Sequence, residues 1–257
     1  MATEATGGRH FERLVLALDS SGEDGQRLHA AARLAARLDL ELSGLFVEDI
    51  ALHRLAGLPI ASEVSLLAAQ TRAFAAAQLE RGLRRQAARL EAALRAAAQA
   101  VGVPCSFQAL CGQPIRGVLT AATAGDLVLV AASARYRSGG PPRVPGPVMV
   151  VFDGASVGTQ VLTLAGRLAR LDGRRLQVLL VGTESQTVRL REQAQGELAS
   201  TMGTQVNYAG IGSGAWPDVL DAASRLGAEL LVTDLQRMAA ADPRTLQHSA
   251  CTIVVVR

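Results

Sequence analysis

The chain has 257 residues, of which 49% are hydrophobic and only 3% aromatic, so the core of one large or two medium α/β domains must come from Leu, Val and Ala. All 26 basic residues are arginine, which excludes a lysine Schiff base, a lysine general base and a P-loop lysine. A net charge of +3 does not by itself argue for nucleic acid, and no run of 18 apolar residues lacks a charge, so no membrane span is expected.

The first residues, "MATEATGGRHFERLVLALD", have no apolar h-region before Leu14, which predicts no signal peptide and a cytoplasmic protein. Leu14–Leu18 is short and wholly apolar, as a strand buried on both faces is. Asp19-Ser20-Ser21 breaks that strand and reads as a turn and helix cap. The helix that follows places Leu28, Ala31, Leu34, Ala35 and Leu38 on one side. The apolar run Leu42–Val47 then returns parallel to the first strand, completing a right-handed βαβ unit. Next come "EDIALHRLAGLPIASEVS" (48–65), a crossing segment interrupted by Pro59, and a predicted long helix from Leu66 to Ala100. Leu83, Ala87, Leu90, Leu94, Ala97 and Val101 form a narrow apolar seam along it. Arg81, Arg85 and Arg89 line another side, with Arg84 and Arg95 nearby. They read either as a solvated face or as a dock for an acidic partner or a membrane surface.

Ser106–Leu110 is the next strand, and Gly112-Gln113-Pro114 opens a helix with proline in its first turn. "VLTAATAGDLVLVAAS" (118–133) gives helix, acid and buried strand, and then "ARYRSGGPPRVPGP" (134–147) is a loop. From Val148 the pattern starts again. "VMVVFDGASVGTQVLTLAGRLARLDGRRLQVLLV" (148–181) matches "LVLALDSSGEDGQRLHAAARLAARLDLELSGLFV" (14–47), with Asp153 against Asp19. "VLDAASRLGAELLVTDL" (219–235) matches 118–133. The shorter copy has one helix, about Gln186 to Met202, where the first has its 48–101 insertion, with Gly203 as a C-terminal stop. The division implied is 1–145 and 146–257. Ala134–Gly146 has room only for a loop. The first copy therefore lacks its last helix and strand, and its sheet edge is open or covered by the other half or a partner chain.

This arrangement resembles the universal stress protein family in a tandem two-domain form. The resemblance rests on the strand ending in Asp plus small residues (Asp19-Ser20-Ser21 and Asp153-Gly154-Ala155-Ser156), on Gly112-Gln113-Pro114, and on the closing "HSACTIVVVR". It implies an α/β chain of two Rossmann-like, universal-stress-type domains with mostly parallel sheets. Some members of the family bind ATP at the carboxyl ends of the strands, with a spaced-glycine loop whose N–H groups wrap the phosphates. Here that loop is eroded in both copies. Gly139 and Gly140 are adjacent, and "TDLQRMAAADPRTLQHSACTIVVV" (233–256) has no glycine. Asp234 places a carboxylate where phosphate would sit, and an uncompensated charge there would repel it by a few kcal/mol. No cofactor is therefore expected. The alternative is ATP or AMP, held by Asp19, Ser20, Ser21, Val47, Ser138, Gly139 and Gly140.

"AGIGSGAWPDVL" (209–220) fits G-x-G-x-x-A through Gly210, Gly212 and Ala215. It lies in the third βα unit of its copy, however, and reads as a turn before a proline-started helix. Cys105, Cys111 and Cys251, and the four histidines, show no metal-ligand spacing. No nucleophile elbow occurs. The expected function is a non-catalytic stress-response or regulatory protein acting through association with a protein partner or itself, as a homo-oligomer or intramolecular pseudo-dimer, without nucleic acid or membrane insertion. The alternatives are an adenine-nucleotide module with at most slow hydrolysis, and an adaptor for a membrane transporter or kinase using residues 48–101.

Overall fold

A computed structural model describes residues 11–18, 25–50, 62–65, 70–73, 76–112, 114–130, 146–199, 203–242 and 251–257. The chain divides into two compact units, Arg13–Ala122 and Thr123–Arg257. Glu12 belongs to the second, where its N–H donates to Gly125 O at 3.1 Å.

In the first unit, β1 (Arg13–Leu18), β2 (Glu41–Asp49) and β5 (Cys105–Gly112) form a parallel array in the order β5-β2-β1. Helix α1 (Gly25–Leu38) makes the first crossover. It buries Leu28, Ala31, Ala35 and Leu38 from the predicted set and leaves Leu34 half-buried. The insertion differs from its sequence reading. Ser62–Ser65 (β3) and Gln70–Ala73 (β4) pair antiparallel, and helix α2 begins only at Ala76, running to Gln99. Helix propensity over Gln70–Ala73 is a weak prior that a tertiary strand pairing overrides. Val64 and Thr71, both β-branched types, stand opposite one another in that pairing. The predicted seam is otherwise found where expected. Leu83, Leu90, Leu94 and Ala97 are buried, while Ala87 and Val101 are half-buried. Gly44 in β2 lets α2 lie close to the sheet, because a Cβ there would run into the Leu94 side chain. Helix α3 (Pro114–Ala121) opens on the predicted proline.

In the second unit, β7 (Val148–Phe152), α4 (Ser156–Leu171), β8 (Leu176–Val181), α5 (Glu184–Leu198), β9 (Val206–Ile211), α6 (Trp216–Leu226), β10 (Leu230–Asp234), α7 (Leu235–Ala239) and β11 (Thr252–Val256) follow in order. The parallel strands lie as β9-β8-β7-β10-β11. Strand order therefore reverses between β7 and β10, and open α/β sheets leave a crevice at the carboxyl ends of the strands flanking such a point. All five residues of β7 are buried, as a strand covered on both faces requires.

Strand β6 (Asp126–Val130) carries the first repeat's "DLVLV", yet it pairs antiparallel with β11, Val130 opposite Ile253 and Leu127 opposite Val256. Among the described residues no strand or helix lies between β6 and β7. The acid that opens β6 has a structural task. Asp126 is 1% exposed, and its Oδ2 accepts from Thr123 N at 2.6 Å and Thr123 Oγ1 at 2.9 Å, which fixes the turn into the strand. Among the described residues no helix is long and apolar enough to cross a membrane.

Candidate strand-end cleft of the second repeat

Three strand ends of the 123–257 unit converge on one side chain. Strand β7 ends at Phe152; Asp153 comes next, and Gly154 follows with φ +80°, a left-handed conformation that favours glycine. Asp153 does not cap α4, whose N-cap is Ala155 without a side-chain bond. Instead Asp153 Oδ1 accepts from Ala155 N at 3.0 Å, closing an Asx turn that leaves Oδ2 pointing elsewhere. Strand β10 ends at Asp234, which caps α7 by accepting from Arg237 N at 2.8 Å. From that first turn the Arg237 side chain reaches back across the strand ends. Its Nη2 donates to Asp153 Oδ2 at 2.7 Å and its Nη1 donates to Gly214 O, in the β9–α6 loop, at 3.0 Å.

Each partner is shaped for this. A Cβ on residue 214 would lie 2.5 Å from Arg237 Nη1 and 3.1 Å from Val181 Cγ1, so only glycine lets the guanidinium reach the backbone. Trp216, 6% exposed, donates from Nε1 to Arg237 O at 2.8 Å and pins α7 from the other side. Nε of Arg237 is 3.8 Å from Asp234 Oδ2. That is an ion-pair distance and too long for a hydrogen bond, so this buried N–H goes without one. The Arg237 side chain is only 15% exposed, against 40% for Asp153.

These groups line a cleft of about 540 Å³ bounded also by Pro217, Gln236 and Asp242. Among the described residues that line it, Asp153, Asp234 and Asp242 carry carboxylates and Arg237 a guanidinium. The carboxylate of Asp234 is thus present as the sequence indicated, but it is compensated by Arg237 rather than bare.

Six of the seven residues expected to hold a nucleotide, Asp19, Ser20, Ser21, Ser138, Gly139 and Gly140, lie outside the described residues. The seventh, Val47, is 3% exposed at the end of β2, opposite Leu110. A Cβ on Gly117 would come within 3.1 Å of Val47 Cγ1, so Val47 packs beneath α3 as a core residue. Of the glycine motif, Gly210 and Gly212 do not line the cleft and Ala215 does, next to Gly214, which the motif does not include. Arg237 was not singled out from the sequence. The one signal for it was the Asp234-to-Arg237 spacing of three, which places both on one turn of a helix.

Burial is the main cause pushing the Cys105 thiol above its ordinary range, opposed by the Arg95 charge. Burial likewise raises the Tyr208 phenol, whose ring has the Arg191 guanidinium 5.2 Å from its centre. None of the three cysteines forms a disulfide. Among the described residues no three His, Cys, Asp or Glu side chains group as a metal site would require.

No protein-family model and no curated protein matches the sequence. Solved structures do. A universal stress protein from Archaeoglobus fulgidus matches with a TM-score of 0.60 at 13% identity, over 96% of this chain and 97% of that chain. A protein of the universal stress protein family from Burkholderia pseudomallei matches at 18% identity and TM-score 0.35, over 45% of this chain and 98% of its own. A universal stress protein from Archaeoglobus fulgidus in complex with dAMP matches at 16% identity and TM-score 0.38, over 45% of this chain and 100% of its own. With the Rossmann-type strand order of its second unit and a full-length match at TM-score 0.60, this chain has the fold of the universal stress proteins.

Proposed function

We propose that the protein is a non-catalytic regulator of the universal stress type that works by protein association and does not hold ATP tightly. One observation carries the reading. At the strand ends of the second repeat, where this class of sheet takes ligands, the Arg237 guanidinium is already bound to Asp153 and Gly214 O. A triphosphate would have to displace it from both partners, and the Asp153 carboxylate would then face the phosphates. The antiparallel β6–β11 pairing supports an intramolecular pseudo-dimer, since the first repeat's last strand is satisfied from within the chain. Three cysteines with no disulfide among them fit a reducing, cytoplasmic setting. The test is calorimetric titration of the full chain with ATP and with AMP. Absence of heat at micromolar protein supports the reading, and tight binding overturns it.

A second reading is an adenine-nucleotide module. The cleft volume favours it, because about 540 Å³ falls inside the range of small-molecule sites. In that case AMP, being less charged than ATP, should raise the melting temperature. Asp153→Ala should abolish that rise. No shift with any adenine nucleotide removes this reading.

A further inference from the structure

The first unit carries a charge asymmetry that the strand-end cleft does not use. Helices α1 and α2 pack against one another and cover the same face of β2. Between them they hold eight arginines and two glutamates, so the remaining residues have 18 basic side chains against 21 acidic ones. The net positive charge of the chain therefore resides in this helix pair. On α2 the segregation is sharp. Leu83, Leu90, Leu94 and Ala97 are buried on one side, and Arg81, Arg84, Arg85, Arg89 and Arg95 are exposed on the opposite one. On α1, Arg33 and Arg37 are exposed as well. Glu80 and Glu91 bond Arg84 at 3.0 Å and Arg95 at 2.7 Å. Arg33, Arg85 and Arg89 have no hydrogen-bond or ion-pair partner among the described residues, and Arg81 donates only to Ala77 O of its own helix.

We propose that the outward face of α1 and α2 is the docking surface for an acidic helical segment of a partner protein. This rests on the association reading above and names its partner class. Arg81, Arg85 and Arg89 repeat about every 6 Å along the helix, the spacing at which a second helix presents glutamates four residues apart, and each guanidinium can grip a carboxylate with two parallel N–H bonds. A membrane surface fits less well, because the apolar side of α2 is already buried and has nothing left to insert. Nucleic acid fits less well too. Neither helix carries Phe, Tyr or Trp to stack on bases. Glu80 and Glu91 also flank the arginine run and would repel a continuous phosphate track more than a short acidic peptide.

The experiment uses the full chain and a fluorescent helical peptide with glutamates at i, i+4 spacing, read by anisotropy at about 0.05 M and about 0.3 M salt. Wild type should bind, more weakly at high salt. The triple variant Arg81→Glu, Arg85→Glu, Arg89→Glu should bind at least about tenfold more weakly. If that variant does not fold, the Arg→Gln triple, checked for an unchanged melting curve, decides and should lose about threefold or more. Equal binding by the folded variant overturns the proposal, as does tighter binding of duplex DNA or phosphatidylserine vesicles at the same salt. Calorimetry with ATP fails separately. Tight ATP binding alongside intact peptide binding would overturn the functional reading and leave the surface standing.

Discussion

The two repeats join their second and third strands in different ways, and the contrast locates what is specific to this chain. In the second repeat the crossover is α5, 15 residues with a capping box at Thr183 and Gln186, two arginines and three glutamates. It buries only Leu190, Ala194 and Leu198, and Val188 stands 59% exposed. In the first repeat the crossover contains the antiparallel β3–β4 pair and then α2, 24 residues with five arginines and two glutamates. A strand-to-strand crossover needs roughly one short helix. The extra length of α2 is therefore not demanded by the fold, and its exposed charge is mostly arginine. The second repeat spends its distinctive arginine differently, inward, where Arg237 ties β7, the β9–α6 loop and β10 together.

If α2 is both a core helix and a surface, its two sides should respond separately. The largest effect should come from Leu94→Ala. The residue is 0% exposed and faces Gly44, so its truncation should cost about 2–5 kcal/mol, against a smaller loss for Leu190→Ala on α5. Denaturant unfolding followed by circular dichroism measures both, and equal small losses would mean that α2 is peripheral. Next comes Arg237→Ala, which removes the Asp153 and Gly214 bonds and leaves carboxylates facing one another. A loss of about 1–3 kcal/mol is expected, with Arg237→Lys recovering charge but not the fork geometry. An unchanged melting temperature in the alanine variant would show that the network is ornamental. Gly214→Ala should cost about 1 kcal/mol, since the clash is with the end of a flexible arginine that can withdraw. Combined with Arg237→Ala it should add little, because the two act through one contact. The smallest effect is expected for Thr233→Val. Thr233 is 1% exposed with an unbonded hydroxyl, so the apolar isostere should be neutral within about 0.5 kcal/mol or slightly stabilising. A loss above 1 kcal/mol would reveal a partner for that hydroxyl.

Much of the architecture was legible because it is local. Strands β1, β7 and β11 are built on apolar runs of the kind a parallel sheet buries on both faces, and the self-match between 14–47 and 148–181 announced two copies of one supersecondary unit. Pro114 and the Trp216-Pro217 pair marked helix starts that the structure confirms. Three features were not legible. The pairing of β3 with β4 was hidden because β4 lies in a segment of good helix formers, where a pairing partner outweighs weak propensity. The role of Arg237 depends on Asp153, 84 residues away. The importance of Gly214 over Gly210 and Gly212 depends on where that guanidinium arrives.

By itself, then, the amino-acid sequence determined the alternation of strands and helices, the duplication, the apolar side of α2 and its arginine side, since each follows from side-chain period and backbone preference over a few residues. Only the tertiary structure decided that β6 runs antiparallel beside β11 and that Asp234 meets a guanidinium instead of standing bare. Neither a strand's neighbour nor a charge's partner is encoded within a single segment. Both are chosen when edges must be hydrogen-bonded and half-buried charges must be offset, and those requirements exist only once distant segments are brought together.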